Sequence, residues 1–324
     1  QEKIRDDILQ TYTGIKNETK KINDKANDLF SILKQDLIKN EDSIQMSVGI
    51  EDNMGRRFNI TRNNEKNRFK FIMRNLPVHW HPSLIGDATS NQILQLYNAG
   101  LVKFGKDTNV IPSLAKYWQI NEDATEWTFF LRENAYFHDG TPVTSEDVKE
   151  SFKRVILSPN APFLNMVKGA PEYMKHRAKD VDGIKIVDEY TIKFYLNYPY
   201  IPFLSNLAVS PLSILKRDMA RCSDDQMRSH PIGCGPFSVS EITNEHIILE
   251  SNHHHFEGEP YLDTLEILIG NENLAFDKLL GHQIDFAQVD AENIDVIKKN
   301  NRIDIHVMTT PSLDVQYIGI NMSK

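Results

Sequence analysis

The sequence predicts an α/β fold in which mixed sheets are flanked by helices and preceded by an N-terminal helical extension. Several short segments alternate apolar with polar residues, as strands with one buried face do. Other segments repeat apolar residues at helical spacing behind residues that cap helices. The 324 residues suffice for two domains or one large one.

The composition excludes two classes of function. A formal net charge of −8 argues against a nucleic-acid-binding surface, which needs clustered excess Lys and Arg. No apolar run approaches the roughly eighteen residues that a transmembrane helix requires. A soluble protein without nucleic acid as its partner is therefore expected.

Residues 1–40 predict an amphipathic helix. Its seam positions recur at alternating spacings of four and three, which is the period of a coiled coil, although Thr19 and Ala26 are weak core residues. The seam positions are Ile8, Tyr12, Ile15, Thr19, Ile22, Ala26, Leu29 and Leu33. Two interpretations remain open: a helix packed on a neighbouring domain, or a helical dimerisation or signalling linker with self-association through residues 4–37. Residues 41–67 are polar and aperiodic, which predicts a linker.

The stretch from Trp118 to Phe152 predicts two strands, a turn and a capped helix. Trp127, Phe129 and Leu131 alternate with Thr128, Phe130 and Arg132, which is the period of a strand with one buried face. A turn follows at residues 139–142. Thr144 and Asp147 then stand at the spacing of a capping box. The carboxylates of this stretch are therefore assigned to scaffold and not to catalysis.

The rest of the globular part, which begins at residue 68, alternates predicted strands and helices. Before the stretch just described we expect a strand at 69–73 and a helix at 90–98. After it we expect a hairpin at 181–196, two strands after Phe237, strands at 265–269 and 303–308, a turn and strand within 281–287, and helices at 273–280 and 291–299.

Two motifs resemble those of a known family. The first is W-x-F-x-L-R-x4-F-H-D-G-x-P-x3-E-D-V-x2-S-F, from Trp127 to Phe152, and the second is P-x-G-x-G-P-F, from Pro231 to Phe237. Together they are similar to the family 5 bacterial extracellular solute-binding proteins, the oligopeptide-, dipeptide- and nickel-binding components of ABC importers. The resemblance covers about residues 69–324. It implies the first lobe of a class II periplasmic-binding-protein-like fold over residues 68–324.

The resemblance also implies a function. A peptide-like solute is captured reversibly by hinge closure of two lobes and delivered to an ABC permease in the membrane, so the protein is expected outside the cytoplasm, in the periplasm or as a cell-surface lipoprotein. Tyr317–Asn321 matches the place where the family's chain leaves the first lobe, so a second lobe and a return segment are expected to follow. The alternative is a ligand-sensing effector domain of a cytoplasmic transcription regulator or signalling protein.

Ligand contacts on this lobe are implied at three places in the chain. The residues are Leu76, Pro77, Val78, His79, Val209, Ser210, Cys234 and Gly235. In the first loop Trp80-His81-Pro82 replaces the family's usual Leu-Asp-Pro, which puts in doubt any contact made through that aspartate. Many of the expected contacts are backbone groups, which suits recognition of a peptide main chain.

No cofactor, metal or catalytic centre is predicted. His253 and His255 are the weak metal candidates, because on a strand both would point the same way and could chelate Ni²⁺ or Zn²⁺, but a surface turn is the favoured interpretation. Cys222 and Cys234 form no C-x-x-C motif and are expected as two thiols, with a disulfide in an oxidising compartment as the alternative. No Ser-His-Asp order, H-E-x-x-H or P-loop stands out, so an enzyme is not expected.

Overall fold

The computed structural model describes residues 47–51, 57–61, 67–105, 109–289, 291–299, 305 and 307. The chain divides into two compact units, and everything described from residue 67 onward belongs to the second. In the first unit, β1 (Ser47–Glu51) and β2 (Arg57–Thr61) pair antiparallel. The polar composition of residues 41–67 predicts no strand, and β1 and β2 correct this. The linker role stays a prediction, and the helix expected at 1–40 lies outside the described residues.

The second unit contains ten further strands and seven helices among the residues described. The strands are β3 (Arg68–Met73), β4 (Val102–Phe104), β5 (Val110–Pro112), β6 (Ala115–Ile120), β7 (Glu126–Leu131), β8 (Ile184–Asp188), β9 (Thr191–Tyr195), β10 (Phe237–Ile242), β11 (His246–Ser251) and β12 (Thr264–Ile269). The helices are α1 (Ala88–Tyr97), α2 (Ser145–Ile156), α3 (Ala170–Met174), α4 (Phe203–Leu207), α5 (Asp224–Ser229), α6 (Ala275–Leu280) and α7 (Ala291–Lys299). Short 3-10 turns lie at Pro82–Leu84, Ala161–Leu164, Ser210–Leu212 and Glu272–Leu274.

The first sheet has the strand order β10-β11-β12-β3. Its pairings are antiparallel except for β12 with β3, which run parallel with Leu265 opposite Phe69. Helix α1 covers this sheet with Ile93, Leu94 and Tyr97, each at most 1% exposed. The sheet and α1 thus share one apolar core.

The second sheet is antiparallel, with the order β6-β7-β9-β8. The predicted buried face of β7 is confirmed, since Trp127, Phe129 and Leu131 are at most 1% exposed; Thr128, on the other face, is also buried, at 8%. The ring centroids of Phe129 and Phe194 lie 5.7 Å apart, edge to face, and Phe194 also contacts Phe152 on α2 at 5.3 Å. Such pairs add to the stability gained from apolar burial. The aromatic residues of β7, β9 and α2 therefore form the centre of a second core.

The capping box at α2 is confirmed, and it also ties in a distant loop. Asp147 Oδ2 accepts hydrogen bonds from the Thr144 N–H at 2.9 Å and from Thr144 Oγ1 at 2.6 Å. Its other oxygen accepts from the Arg217 N–H at 2.9 Å. Asp147 is 2% exposed, and its oxygens are occupied by structural donors, as the sequence predicts.

The two cores are joined where the loop before β10 meets the end of α1. The Gly235 N–H donates to the Tyr97 carbonyl at 3.0 Å. From the other side, His138 Nδ1 accepts from the Gly233 N–H at 3.3 Å, and His138 Nε2 lies 3.1 Å from the Gly235 carbonyl. Because one ring nitrogen accepts and the other donates, this geometry requires the neutral imidazole, and burial lowers the pKa of His138 accordingly.

One predicted strand is wrong and two other expectations lie outside the described part of the chain. Residues 281–287 begin with the predicted turn, but in place of the predicted strand they form one parallel bridge, between Phe71 and Phe286. The expected strand at 303–308 and the exit segment Tyr317–Asn321 fall among residues that the structure does not describe, except for residues 305 and 307, which are in no strand.

Candidate functional site

The loop that follows β3 is held rigidly by one distant carboxylate. Asp224 Oδ1, at the first position of α5, accepts from the Trp80 N–H at 2.8 Å and from the His81 N–H at 2.7 Å. On the α1 side, the His79 N–H donates to Ser90 Oγ at 3.1 Å, and Tyr97 donates its hydroxyl to the Trp80 carbonyl at 2.7 Å. The backbone of this loop is therefore fixed without regular secondary structure.

Within that loop the four predicted ligand residues differ in exposure. Pro77 is buried, and Leu76 is half-buried against the first core. Val78 is 66% exposed, a high value for a branched apolar side chain on an ordered loop. His79 is partly exposed, and its Nδ1 lies 3.3 Å from Asp224 Oδ2. The loop therefore presents one apolar and one imidazole side chain to the surface.

His81, which the sequence places where the family has an aspartate, is a structural residue. It is fully buried, and its Nδ1 accepts from the Ser83 N–H at 3.2 Å and pairs with Ser83 Oγ at 2.9 Å. Burial, aided by the nearby Arg154 cation, lowers its pKa to about 4. His81 is thus neutral near pH 7 and contributes to the loop and not to its surface.

Val209 and Ser210 lie in a different place, in the wall of a groove beyond the C-terminal end of α1. This groove, which we call the Asn98 groove, has a volume of about 440 Å³. Its lining residues come from the end of α1, β4, the turn at Ser210–Leu212 and the segment after β11; among them are Gln95, Asn98, Lys103, Val209, Ser210, Pro236, Phe256 and Glu257. Gln95 Nε2 donates to Ser210 Oγ at 3.1 Å, joining two of these walls.

Cys234 and Gly235 lie beneath the surface. Cys234 is fully buried, and burial raises the pKa of its thiol to about 12, so the thiol stays protonated. Its Sγ is 3.7 Å from Asn98 Oδ1. A Cβ added to Gly235 would lie 2.5 Å from the Asn98 nitrogen, so only glycine allows this approach of two backbones. Both residues serve the joint between the cores, and a direct ligand contact stays a prediction.

His253 and His255 do not occupy a strand, so the geometric argument for chelation is wrong. Both lie in the turn after β11. His253 Nδ1 pairs with Glu259 Oε1 at 2.7 Å, whereas the His255 ring packs on Phe256 at 4.3 Å. Throughout the described ranges, no three His, Cys, Asp or Glu side chains are grouped closely enough to hold a metal ion. Cys222 and Cys234 are both free thiols, as expected.

Sequence reasoning missed Asp224 and Asn98. Asp224 follows the helix cap Ser223, so its local pattern predicts only a helix start. Asn98 stands at the predicted end of a helix, where asparagine is common. Neither pattern reveals a contact with a loop more than a hundred residues away.

Among the residues described, no helix is long and apolar enough to span a membrane.

The fold described above matches one lobe of a solute-binding protein. The family model of bacterial extracellular solute-binding proteins, family 5, matches residues 109–324. The chain therefore belongs to this family, as its two motifs predicted.

Relatives of known description support the same assignment. The chain is 32% identical over 225 residues to the probable D,D-dipeptide-binding periplasmic protein DdpA of Escherichia coli, covering 67% of this chain and 41% of that protein. It is 29% identical over 282 residues to heme-binding protein A of Haemophilus influenzae, covering 81% and 51%. This chain thus spans about half the length of these relatives.

A solved structure is similar in fold. The murein tripeptide binding protein MppA of Escherichia coli superposes with a TM-score of 0.66 at 25% identity, covering 75% of this chain and 50% of that one. The expected class II periplasmic-binding-protein-like lobe is thereby confirmed. The relatives named here are binding proteins, and none is described as an enzyme.

Proposed function

We propose that this chain supplies one lobe of a site that binds a peptide-like solute outside the cytoplasm, for delivery to an ABC permease. The match of the family model over residues 109–324 carries the proposal. Two of the relatives named above bind a dipeptide and a murein tripeptide, according to their names. Hinge closure onto a second lobe completes the site in this proposal.

The loop at residues 76–79 is the ligand-facing surface that the geometry favours. Exposed apolar side chains on a fixed backbone are typical of binding surfaces, because little conformational entropy is lost when the ligand arrives. Val78 offers such a side chain, and the half-exposed His79 imidazole beside it offers a polar group. His79 is bonded to Ser90 and Asp224, and the next two backbone N–H groups also donate to Asp224, so the backbone beside Val78 is held before a ligand binds.

Calorimetry tests the proposal on the protein expressed at the full length of its gene. Dipeptide, tripeptide and longer peptide pools are titrated, with hemin as a separate arm because one relative binds heme. We expect saturable binding of a peptide pool, and we expect Val78→Asp to weaken it at least about ten-fold, which corresponds to about 1.4 kcal/mol.

The control places the same substitution far from the loop. Val187 lies on β8 of the second sheet and is 55% exposed, so Val187→Asp changes the same residue type at similar exposure. Its affinity should equal that of the unaltered protein. Absence of binding to every peptide pool would remove the peptide function, whereas peptide binding that Val78→Asp leaves intact would remove only the role of the loop.

A further inference from the structure

His138 holds residues 233–235, which we call the joint loop, with both its backbone and its ring. Its backbone N–H donates to the Gly233 carbonyl at 2.8 Å, and its Nδ1 accepts from the Gly233 N–H at 3.3 Å. Its Nε2 lies 3.1 Å from the Gly235 carbonyl oxygen, which also accepts from Asn252 Nδ2 at 3.1 Å. A carbonyl only accepts, so Nε2 carries the ring proton and Nδ1 does not. The joint loop is therefore matched to one tautomer of the neutral imidazole.

A second proton on this ring does not fit the closed joint loop. Protonated Nδ1 would point its N–H at the Gly233 N–H, so two donors would face each other and a partly buried amide would lose its acceptor. Gly233 cannot retreat toward α1, because even a Cβ on it would overlap the Tyr97 carbonyl oxygen at the end of that helix. The His138 backbone is held by its own bond to the Gly233 carbonyl. Relief therefore requires the joint loop to move away from the ring and from α1.

The adjacent carboxylate gives the added proton little support. Asp139 follows His138 in the chain, but its Oδ2 pairs with Lys216 Nζ at 2.6 Å. Its Oδ1 accepts from the Thr141 N–H at 3.1 Å and from Thr141 Oγ1 at 2.6 Å. These donors hold Asp139 in its own turn and offset its negative charge at the imidazole.

The other titratable neighbours do not favour a cation either. Burial, more than any other influence, lowers the pKa of His138, and His255 in the turn after β11 lowers it further when that imidazole is protonated. The buried Cys234 thiol and Tyr97 hydroxyl stay uncharged, because burial raises the pKa of each. The charged side chains around His255 are Glu257, Lys103 and Arg132.

We propose that protonation of His138 opens the joint loop, separates it from the end of α1 and exposes the Cys234 thiol beneath it. A histidine in the open form titrates near about 6.5, so the open form takes up a proton that the closed form resists. Falling pH therefore favours the open form, by at most about thirty-fold at about pH 5. This acid-sensitive opening goes beyond the proposed binding of a solute and does not depend on it.

Cys234 itself reports the opening, because it is fully buried while the joint loop is closed. The sequence has one other cysteine, so Cys222→Ser leaves a single thiol in the full chain. That thiol is labelled with 4,4′-dithiodipyridine over the range from about pH 7.5 to about pH 5. A short peptide containing the same cysteine is labelled in parallel, and the ratio of the peptide rate to the protein rate gives the protection of Cys234. Taking this ratio removes the pH dependence of the reagent.

Two variants assign the effect to His138. In the chain that keeps His138, we expect protection to fall at least about five-fold as the pH is lowered over this range. His138→Asn places an amide oxygen within reach of the Gly233 N–H but does not titrate, so its protection should change less than about two-fold. His255→Asn is the matched control, because the His255 ring packs on Phe256, and the fall should persist in it.

Urea distinguishes local opening from unfolding of the whole chain. Local opening exposes little surface, so at about pH 5 the protection of Cys234 should depend on urea less than half as steeply as global unfolding followed by tryptophan fluorescence. This measurement needs only the chain that keeps His138, and it decides the matter if His138→Asn fails to fold.

Three results would overturn the proposal. They are protection that is the same at both ends of the pH range, an equal fall in His138→Asn, and a urea dependence as steep as that of global unfolding. Peptide binding is measured separately with Val78→Asp, so failure of the proposed function and failure of this opening are told apart.

Discussion

Replacing Gly235 by valine should break the joint between the two cores. A Cβ at this position would lie 2.5 Å from both the Asn98 nitrogen and the Tyr97 carbonyl carbon, and 3.0 Å from the Asn98 carbonyl oxygen. Nonbonded carbon and nitrogen atoms do not approach so closely, so the backbone of the loop or of the α1 terminus must move. That movement also breaks the hydrogen bond that the Gly235 N–H donates to the Tyr97 carbonyl.

The magnitude follows from these contacts. Overpacking a core by a few atoms costs about 1–3 kcal/mol, and here the obstacle is backbone that cannot rotate away, which places Gly235→Val at about 3 kcal/mol or more. The lost hydrogen bond adds about 1 kcal/mol. For a unit of this size, each kcal/mol lowers the melting temperature by about 2–4 °C, so we expect a fall of about 8–16 °C.

Differential scanning calorimetry measures this fall in melting temperature, and the same substitution at another glycine serves as the control. At Gly86 an added Cβ would meet no atom within 4 Å beyond its immediate chain neighbours, and its φ is not in the left-handed region. Gly86→Val should therefore stay within about 0.5 kcal/mol of the unaltered chain. If Gly235→Val melts within 2 °C of Gly86→Val, the close approach of the two backbones is not what requires glycine at position 235.

Three other perturbations have expected outcomes. Asp224→Ala leaves the Trp80 and His81 N–H groups without their acceptor, so urea denaturation should show a loss of about 1–3 kcal/mol, and an unchanged midpoint would contradict the role of Asp224 in holding the loop. Because burial lowers the pKa of His81 to about 4 while an unfolded histidine titrates near about 6.5, the unfolded chain binds the extra proton first as pH falls. The contribution of His81 to the free energy of unfolding is thus complete above about pH 6.5 and falls toward pH 4, by at most about 3 kcal/mol. Denaturation at pH values from about 5 to 8 should show this fall in stability. His81→Asn keeps a hydrogen-bond acceptor but does not titrate, so it should reduce the pH dependence. Asp147→Ala removes the capping acceptor of α2 and should cost about 2 kcal/mol in thermal unfolding, with an effect below about 0.5 kcal/mol refuting the capping box as a stabilising contact.

The elements that the sequence predicts correctly are those determined by local chemistry. The burial of Trp127, Phe129 and Leu131 follows from alternation along one strand, and the start of α2 follows from Thr144 and Asp147 three residues apart. These signals need no knowledge of the rest of the chain. The family resemblance of the same stretch is specific because residues required for a strand, a turn and a helix cap follow one another there.

The candidate site could be predicted only in part because its geometry depends on distant partners. The loop at residues 76–79 can be located from the sequence, but its rigidity comes from Asp224, 145 positions beyond His79. For His253 and His255, by contrast, the sequence pattern suggested a shared site that the structure does not form. A period of two suggests a shared face only on a strand, and the hydrogen bonds of Asn252 and the turn at residues 253–257 end β11 before these residues. The Asn98 groove has no linear pattern at all.

The parallel pairing of β12 with β3 constrains how the molecule is made. Thr264 lies opposite Arg68, so 196 positions separate strands that share a ladder of hydrogen bonds. At ribosomal rates of about 5–20 residues per second, β3 emerges roughly 10–40 s before its partner exists. During that interval Phe69, Phe71 and Met73 belong to an unpaired, apolar strand edge, which is the kind of segment that self-associates. Molecular chaperones that shield nascent chains are therefore expected to matter most for β3. The second sheet has all its strands between residues 115 and 195, so it can form as soon as this shorter stretch has been synthesised.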